Sequence, residues 1–575
     1  MSERLFAEFP AVSTVEWEAA IAKDLKGANY EKKLIWRTSE GMAVKPYYRA
    51  EDVEKLEWLK TSPGEFPFLR GTRAGSGWRI RESIDIADPA EANRAARAAV
   101  AAGAEEIAFG KINVGNVSDI ALLLSDLDSV PVHFSVIDQR ILQRLLQHLK
   151  KTDRTAGIST GLDPLKDEEL AAQTAKEAPQ GLVPFTIDGA RMGDSAANTI
   201  DEIGFSLAAG VDYMAAMQNH GVDAARAATL VEFRFAVGGK YFFEIAKLRA
   251  FRMLWARVVE SFGAPGEVGK ARIAARTSRW NKTLYDPHVN VLRATTEAMA
   301  AVLGGADSVS VASFDDCYKR PDEASRRLAR NTQIILKREA MLSRVSDPGG
   351  GAYALEAITD FVARESWKRM QEVEAKGGYR HAAEWIKQML GQSLAAREKA
   401  VVSRRRILVG TNQFANAAEK ALSRMDTARM AAQQRGAHAY EELRLRTERS
   451  GKTPQILLCE IGDAKMRGAR ATFALNFFAC GGFAIHAKRF KSVDEILTSE
   501  ADVLVLCSSD PEYAALAAEL MPKLKAAGRS TPVIVAGNPE NAAELTAAGI
   551  SDFIHVRSNP LEVLARWQQR LGIEE

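Results

Sequence analysis

After the apolar run at 455–459 the chain reads EIGDAKMRGARATFALNFFACGGF, from Glu460 to Phe483. The residue types there give a strand, a loop, a helix and a glycine turn. Asp463, Lys465 and Gly468 stand in the pattern D-x-K-x-x-G. A lysine is normally an ammonium with no lone pair. It can ligate a metal only after losing a proton, against a reference pKa of about 10.4. An Asp463–Lys465 ion pair is therefore the expected contact. Elsewhere the chemical inventory is sparse. The eight histidines are scattered, with no H-x-x-x-H or H-E-x-x-H spacing, so no metal site is expected. No G-x-S-x-G elbow and no G-x-x-x-x-G-K-[ST] loop occurs. His133 lies in an apolar run and reads as a barrel-interior histidine. Gly304–Gly305 and Gly349–Gly351 read as turns. The stretch 240–263 carries Lys247, Arg249, Arg252 and Arg257 around an apolar helix, which reads as core.

These residues need a scaffold. The chain has 575 residues, enough for two to four domains. With 77 basic and 74 acidic side chains, the net charge of +3 gives no case for nucleic acid or a membrane surface. The N-terminus carries charges early and does not read as a signal peptide. No apolar run approaches the roughly 20 residues needed to span a bilayer. The four cysteines, Cys317, Cys459, Cys480 and Cys507, are far apart and form no C-x-x-C, which points to a reducing, cytoplasmic compartment. Cys459 and Cys507 read as small core residues.

Residues 1–77 form an N-terminal arm, with a helical piece at 14–25 and an irregular Gly/Pro-rich segment at 61–77. From 78 to 395, strand-length apolar runs alternate with helical stretches. The expected strands are 78–86, 105–109, 131–137, 155–158, 183–187, 231–236, 271–276 and 307–312. Eight strand–helix repeats over this length predict a (β/α)8 TIM barrel. Residues 396–452 read as a helical linker, with 403–410 and 428–452 as solvated helix and connector; Arg404–Arg406 falls on such a face. From 453 to 575, strands at 455–459, 482–486, 502–507, 532–536 and 552–555 alternate with helices, and a last helix spans 560–571. This predicts a flavodoxin-like, doubly wound domain, whose ligands sit at the carboxyl ends of the strands. The fold class is α/β throughout.

Several phrases resemble one family. GMAVKPYY (41–48), PFLRG (67–71), FFEIAKLRAFRMLWA (242–256), DPHVNVLRATTEAMAAVLGGADSVSV (286–311), LARNTQIIL (328–336) and SDPGGGAY (346–353) are similar to methylmalonyl-CoA mutases. The resemblance runs in order from about 41 to 555. It implies a barrel that takes up coenzyme A thioesters and a C-terminal domain of the cobalamin-binding type. It also implies the radical interconversion of methylmalonyl-CoA and succinyl-CoA. Many bacterial members are heterodimers of a catalytic chain and a smaller homologous chain that keeps the fold without the site.

The sequence departs from the catalytic pattern. Where the family's W-x-I-R-x-Y has tyrosine, WRIRES has Ser83. Where a histidine would hydrogen-bond the thioester, DGARMGDSAA (188–197) has Arg191, which is always charged. No counterpart is found to the family segment whose arginine pairs with the substrate carboxylate. The family's D-x-H-x-x-G loop, whose histidine ligates cobalt, has Lys465. The S-x-L element keeps Ser508 but has Asp510, and the paired glycines reduce to Gly537 followed by Asn538. Asp463, Lys465, Gly468, Ser508 and Gly537 are then a degenerate remnant of a cofactor site, and no catalytic residue is expected. Asp463 and Gly468 would persist for helix capping and turn geometry.

The resemblance therefore implies the small subunit of a heterodimer. Adenosylcobalamin would sit on a homologous large subunit, acyl-CoA would be met only indirectly, and apolar surfaces would serve a broad interface. Two alternatives stay open: a self-sufficient acyl-CoA mutase of altered specificity, and a non-enzymatic, chaperone-like partner of a mutase.

Overall fold

The computed structural model describes residues 10, 12–75, 77–152, 154, 156–195 and 197–574. The start of the arm, Thr155 of the expected fourth strand and Ala196 of the 188–197 run lie outside them. In the arm, a helix at Thr14–Asp24 is closed by a capping box between Ser13 and Glu16, yet buries none of its residues. A short antiparallel pair, β1 (Trp36–Arg37) and β2 (Ala43–Val44), follows. Among its described residues the segment 61–77 has no helix or strand, as expected. It is nonetheless firmly seated: Phe68 and Leu69 are buried, and their carbonyls accept from the Arg252 guanidinium at 3.1 and 3.0 Å.

The barrel strands are β3 (Arg79–Ile84), β4 (Glu106–Phe109), β5 (Val132–Phe134), β6 (Ile158–Leu162), β7 (Leu182–Asp188), β8 (Val231–Val237), β9 (Arg272–Thr277) and β10 (Ser308–Ser310). They are parallel and close into a barrel when β10 pairs with β3. Seven coincide with the expected runs to within a few residues. The fourth is corrected: it starts at Ile158, where the expected run ends, and its register against β7 shifts between Ser159 and Leu162. Its middle residues, Ser159, Thr160 and Gly161, are small, and space at Gly161 is short. A Cβ at Gly161 would lie 2.5 Å from the Ser135 carbonyl oxygen.

The helix at Tyr241–Ser261 is core on nearly every side, as its apolar spacing predicts. Its cations Lys247, Arg249 and Arg252 are buried and clamped, while Arg257 is exposed. Arg249 is fully buried and meets Asp347 at 2.9 Å and Glu356 at 2.8 Å, while Arg70 meets Asp347 at 2.9 Å. Three phrases far apart in sequence, around 70, 249 and 347, thus meet in one ion cluster. Gly305, at φ 82°, lies against the Arg252 guanidinium, which leaves no room for a Cβ.

The C-terminal sheet contains β11 (Gln455–Glu460), β12 (Ala484–Arg489), β13 (Val503–Cys507), β14 (Val533–Ala536) and β15 (Asp552–Ile554). All pairs are parallel, in the order β12-β11-β13-β14-β15. That is the flavodoxin-like order, with a topological switch between β11 and β13. All four cysteines are free and buried, and Cys459 and Cys507 sit in the central strands.

The stretch 396–452 corrects the linker reading. One helix, Ala383–Val402, crosses the expected boundary at 396, and a second runs His438–Arg449. Val401, Leu408, Ala437, Tyr440 and Leu443 share a core with the C-terminal sheet and with Trp280 of the barrel. In the basic run Arg405 is exposed, but its two neighbours are not solvated. Arg404 donates to the Asn476 carbonyl at 3.0 Å, and Arg406 lies 4.3 Å from the Trp280 ring centre. Charged residues hide this burial from a reading of composition, because their long stems pack while their heads find partners.

Candidate functional site

Two places satisfy the geometric rules for ligand sites in these folds: the carboxyl-end mouth of the barrel and the carboxyl edge of the C-terminal sheet.

The barrel axis is charged and closed. Arg81 on β3 donates to Glu106 of β4 at 2.6 Å and to Glu232 of β8 at 3.1 Å, crossing the barrel, and all three are buried. Burial pushes both carboxyls up, but the Arg81 guanidinium, joined by Arg79 at Glu106 and by Arg234 and Arg272 at Glu232, more than offsets it and holds them below the ordinary carboxylate range. Beside them His133 is fully buried, with Nδ1 2.8 Å from the Ser159 hydroxyl. Arg234 donates to its Nε2. Burial first, and the Arg81 and Arg234 guanidiniums next, push the imidazole well below its usual pKa. A neutral ring accepting at Nε2 must carry its proton on Nδ1, so the hydrogen on Nδ1 faces Ser159. His133 is a satisfied interior histidine, as its apolar strand predicts.

Above this floor the mouth opens into a cavity of about 520 Å³. Ser83 lines it, opposite Ala108 in the strand register, with Ser135, Ser310 and Ser313 nearby. Arg191 does not join them. It lies on the short helix Gly189–Ser195, its side chain is 76% exposed, and it pairs with Asp188 at 3.2 Å. Ser83 and Arg191 are thus separated, one in the cavity wall and one on the rim.

At the C-terminal sheet the expected loop is a helix. Ala464–Ala479 is helical, so Lys465 and Gly468 lie inside it. Asp463 is its N-cap, as expected, and its Oδ1 accepts from the Lys465 and Met466 backbone N–H groups at 3.1 and 2.8 Å. The expected ion pair is corrected: Asp463 meets the backbone of Lys465, because a cap needs an acceptor at the first free N–H groups. Gly468 has no turn role, since it is mid-helix with open space where a Cβ would stand.

The residue that organises this edge is one the sequence reading passed over. The Glu512 carboxylate accepts from the Ser508 and Ser509 hydroxyls, each at 2.6 Å, and from the Asp463 N–H at 3.1 Å. These bonds, that of Ser508 foremost, lower its pKa to about 2. Next to it Asp510 pairs with Arg470 at 2.8 Å, and Tyr513 hydrogen-bonds to the Ala536 carbonyl at 2.8 Å. Side chains from one short segment therefore span the ends of β11, β13 and β14. The signal was a glutamate three residues beyond a Ser-Ser pair, a capping-box spacing. Among the described residues no group of three or more His, Cys, Asp or Glu could hold a metal ion.

Residues 37–111 and 168–482 match the family model described as methylmalonyl-CoA mutase. The chain belongs to the methylmalonyl-CoA mutase family. It is 38% identical to the methylmalonyl-CoA mutase small subunit of Porphyromonas gingivalis, with 99% of each chain covered. It is 32% identical to the protein of the same name from Streptomyces virginiae, covering 99% of this chain and 98% of the relative. The large subunit named from Streptomyces virginiae is 28% identical over 83% of this chain and 72% of its own.

The family implies a corrin cofactor at the carboxyl edge of the C-terminal sheet. The residues present do not fit one. Lys465 offers an ammonium from a helical turn where a lone pair is needed. A Cβ at Gly462 would come within 2.5 Å of both Glu512 Oε2 and Ser508 Oγ. One at Gly537 would come within 2.8 Å of Asp510 Oδ1, so the space beside that glycine is filled by the chain itself.

Proposed function

We propose that this chain is the small, non-catalytic subunit of a methylmalonyl-CoA mutase, supporting a homologous large subunit that holds adenosylcobalamin. The observation that carries the reading is the edge at Asp463, Ser508 and Glu512, where carboxylate and hydroxyls satisfy one another instead of a cofactor. Ser83 and Arg191, at the positions that resemble the family's tyrosine and histidine, support it. Neither supplies an aromatic ring or a neutral imidazole, and they do not converge on one point. In this reading Asp463, Lys465, Gly468, Ser508 and Gly537 are remnants. The closed barrel axis supports indirect contact with acyl-CoA at most.

The partner follows from the relatives' names and from exposed apolar side chains. Trp17, Trp36, Phe242, Leu292 and Phe414 are all exposed. The arm helix, although well capped, buries none of its own residues and touches the chain mainly through Trp17 and Glu18 against Tyr47. Such surface is what a chain buries against a permanent partner. Among the described residues no helix is long and apolar enough to cross a membrane. With four free thiols, the reading places the protein in the cytoplasm.

The test is to purify the chain alone and co-expressed with a large subunit. The expected outcome is a stable one-to-one complex that turns over methylmalonyl-CoA, with no cobalamin absorbance on the isolated chain after reconstitution. A cobalamin spectrum together with turnover by the isolated chain would overturn the reading.

A further inference from the structure

The mouth cavity has a charge pattern that the remnant reading does not absorb. Its acidic and basic side chains can be matched one by one. Glu82 is held by Arg330, and Asp316 by Arg429 with Arg279 at 3.9 Å. Arg276 is held by Asp194, and Arg81 by its two carboxylates. Three lining cations remain without a carboxylate among the described residues. Arg320 donates only to the Asp85 backbone carbonyl, at 2.6 Å, and Arg326 only to that of Pro321, at 2.9 Å. Lys111 has no partner among the described residues. One lining carboxylate, that of Asp85, opposes them.

The same wall presents unused donors. The hydroxyls of Ser83, Ser135 and Ser310 line the cavity and bond to no protein atom among the described residues. A tyrosine in place of Ser83 would project into this space. The floor is sealed by the bonds from Arg81 to Glu106 and Glu232, so the cavity admits a compact molecule from the mouth and no long chain along the axis. Its volume of about 520 Å³ lies within the range of small-molecule sites. A concave wall with an excess of one sign focuses the field and raises the local concentration of the opposite ion.

We propose that the barrel mouth is a binding site for a compact polyanion bearing phosphate or several carboxylates, held by Lys111, Arg320 and Arg326 with the Ser83, Ser135 and Ser310 hydroxyls as donors. Phosphate and carboxylate oxygens share this chemistry, and separate titrations tell them apart. The inference does not depend on the subunit reading, since it rests on the barrel alone.

Calorimetric titration of the full chain with inorganic pyrophosphate, and separately with citrate, tests it. The expected result is saturable binding of at least one of them, one per chain, with a Kd below about 1 mM. It should weaken as salt rises. The double variant Lys111→Glu/Arg326→Glu should lose affinity at least about tenfold, as two reversed charges near a polyanion cost at least one decade. Lys525→Glu, an exposed charge in the C-terminal domain, should bind like the parent. Melting curves establish that each variant is folded, and Lys111→Gln, at an exposed position, gives a milder probe if the double variant is not. The proposal is overturned if neither anion binds saturably to the folded parent, or if binding survives both Lys111→Gln and the charge reversals unchanged.

Discussion

Glu512 shows how a single carboxylate can take the place of a ligand. It gathers two serine hydroxyls and two backbone N–H groups, those of Asp463 and Ser509. Because these bonds favour the charged form, its folded pKa of about 2 lies below the ordinary value. A lowered folded pKa means that the unfolded chain takes up the proton first as pH falls. The stabilisation is therefore complete above about pH 4.3, the unfolded glutamate value, and is lost as pH drops toward about 2. The melting temperature of Glu512→Gln should lie below that of the parent at pH 6, and the gap should narrow steadily toward pH 3. A gap that is constant over that range would show that the carboxylate bonds do not form. Arg81 makes the opposite kind of contribution. Burying it with Glu106 and Glu232 is costly, yet removing it leaves two carboxylates facing each other in the barrel. Arg81→Met should lower the unfolding free energy by about 3–5 kcal/mol in urea titration. A loss under about 1 kcal/mol would mean that water reaches the barrel axis.

At the scale of elements, strand–helix alternation made both sheets legible, because apolar strand-length runs between amphipathic helices have few other solutions. The strand at Ile158–Leu162 escaped because its identity lies in contacts, not in composition. Ser159, Thr160 and Gly161 carry no β-branched apolar pattern, and Gly161 is set by the Ser135 carbonyl beneath it. Gly161→Ala should therefore destabilise the protein by about 1–3 kcal/mol, the range for overpacking, measured by urea unfolding. A neutral result would mean that β5 and β6 can move apart without cost. The helix at Ala464–Ala479 was legible in its later turns, but its first turn was taken for a loop, because Gly462 and Gly468 bracket it with turn residues despite the helix propensity of AKMRGARA. Of the candidate site, Asp463 as a cap was readable from its type and place. Glu512 and the Arg81 cluster were not, because nothing local in sequence says that Glu106 and Glu232 face the same arginine across a barrel.

The molecule as a whole is held together where sequence showed only a charged connector. Trp280, from the loop after β9, inserts into the core that joins 396–452 to the C-terminal sheet, and is 1% exposed. Arg397 and Arg406 lie over its ring at 4.2 and 4.3 Å, and a Cβ at Gly436 would lie 2.5 Å from it. A buried indole touched by two guanidiniums combines area burial with cation–π attraction, so it is worth more than its surface alone. Trp280 thereby couples barrel and C-terminal sheet, beside polar contacts such as those of Leu284 with Glu441 and Arg435 with Lys282, and their relative placement should depend on it. Trp280→Ala should cost about 3–5 kcal/mol of stability, the usual range for emptying such a site. It should also separate the unfolding of the two sheets. Calorimetry would then resolve two transitions where the parent gives one, and limited proteolysis would cut first within 403–426, the irregular stretch freed by the loss. If the variant melts in one transition and resists cleavage like the parent, the coupling runs through the contacts of Leu284 and Tyr285 with Ala421, Met430 and Leu445 instead. In that case the same two measurements on Tyr285→Ala would show the separation.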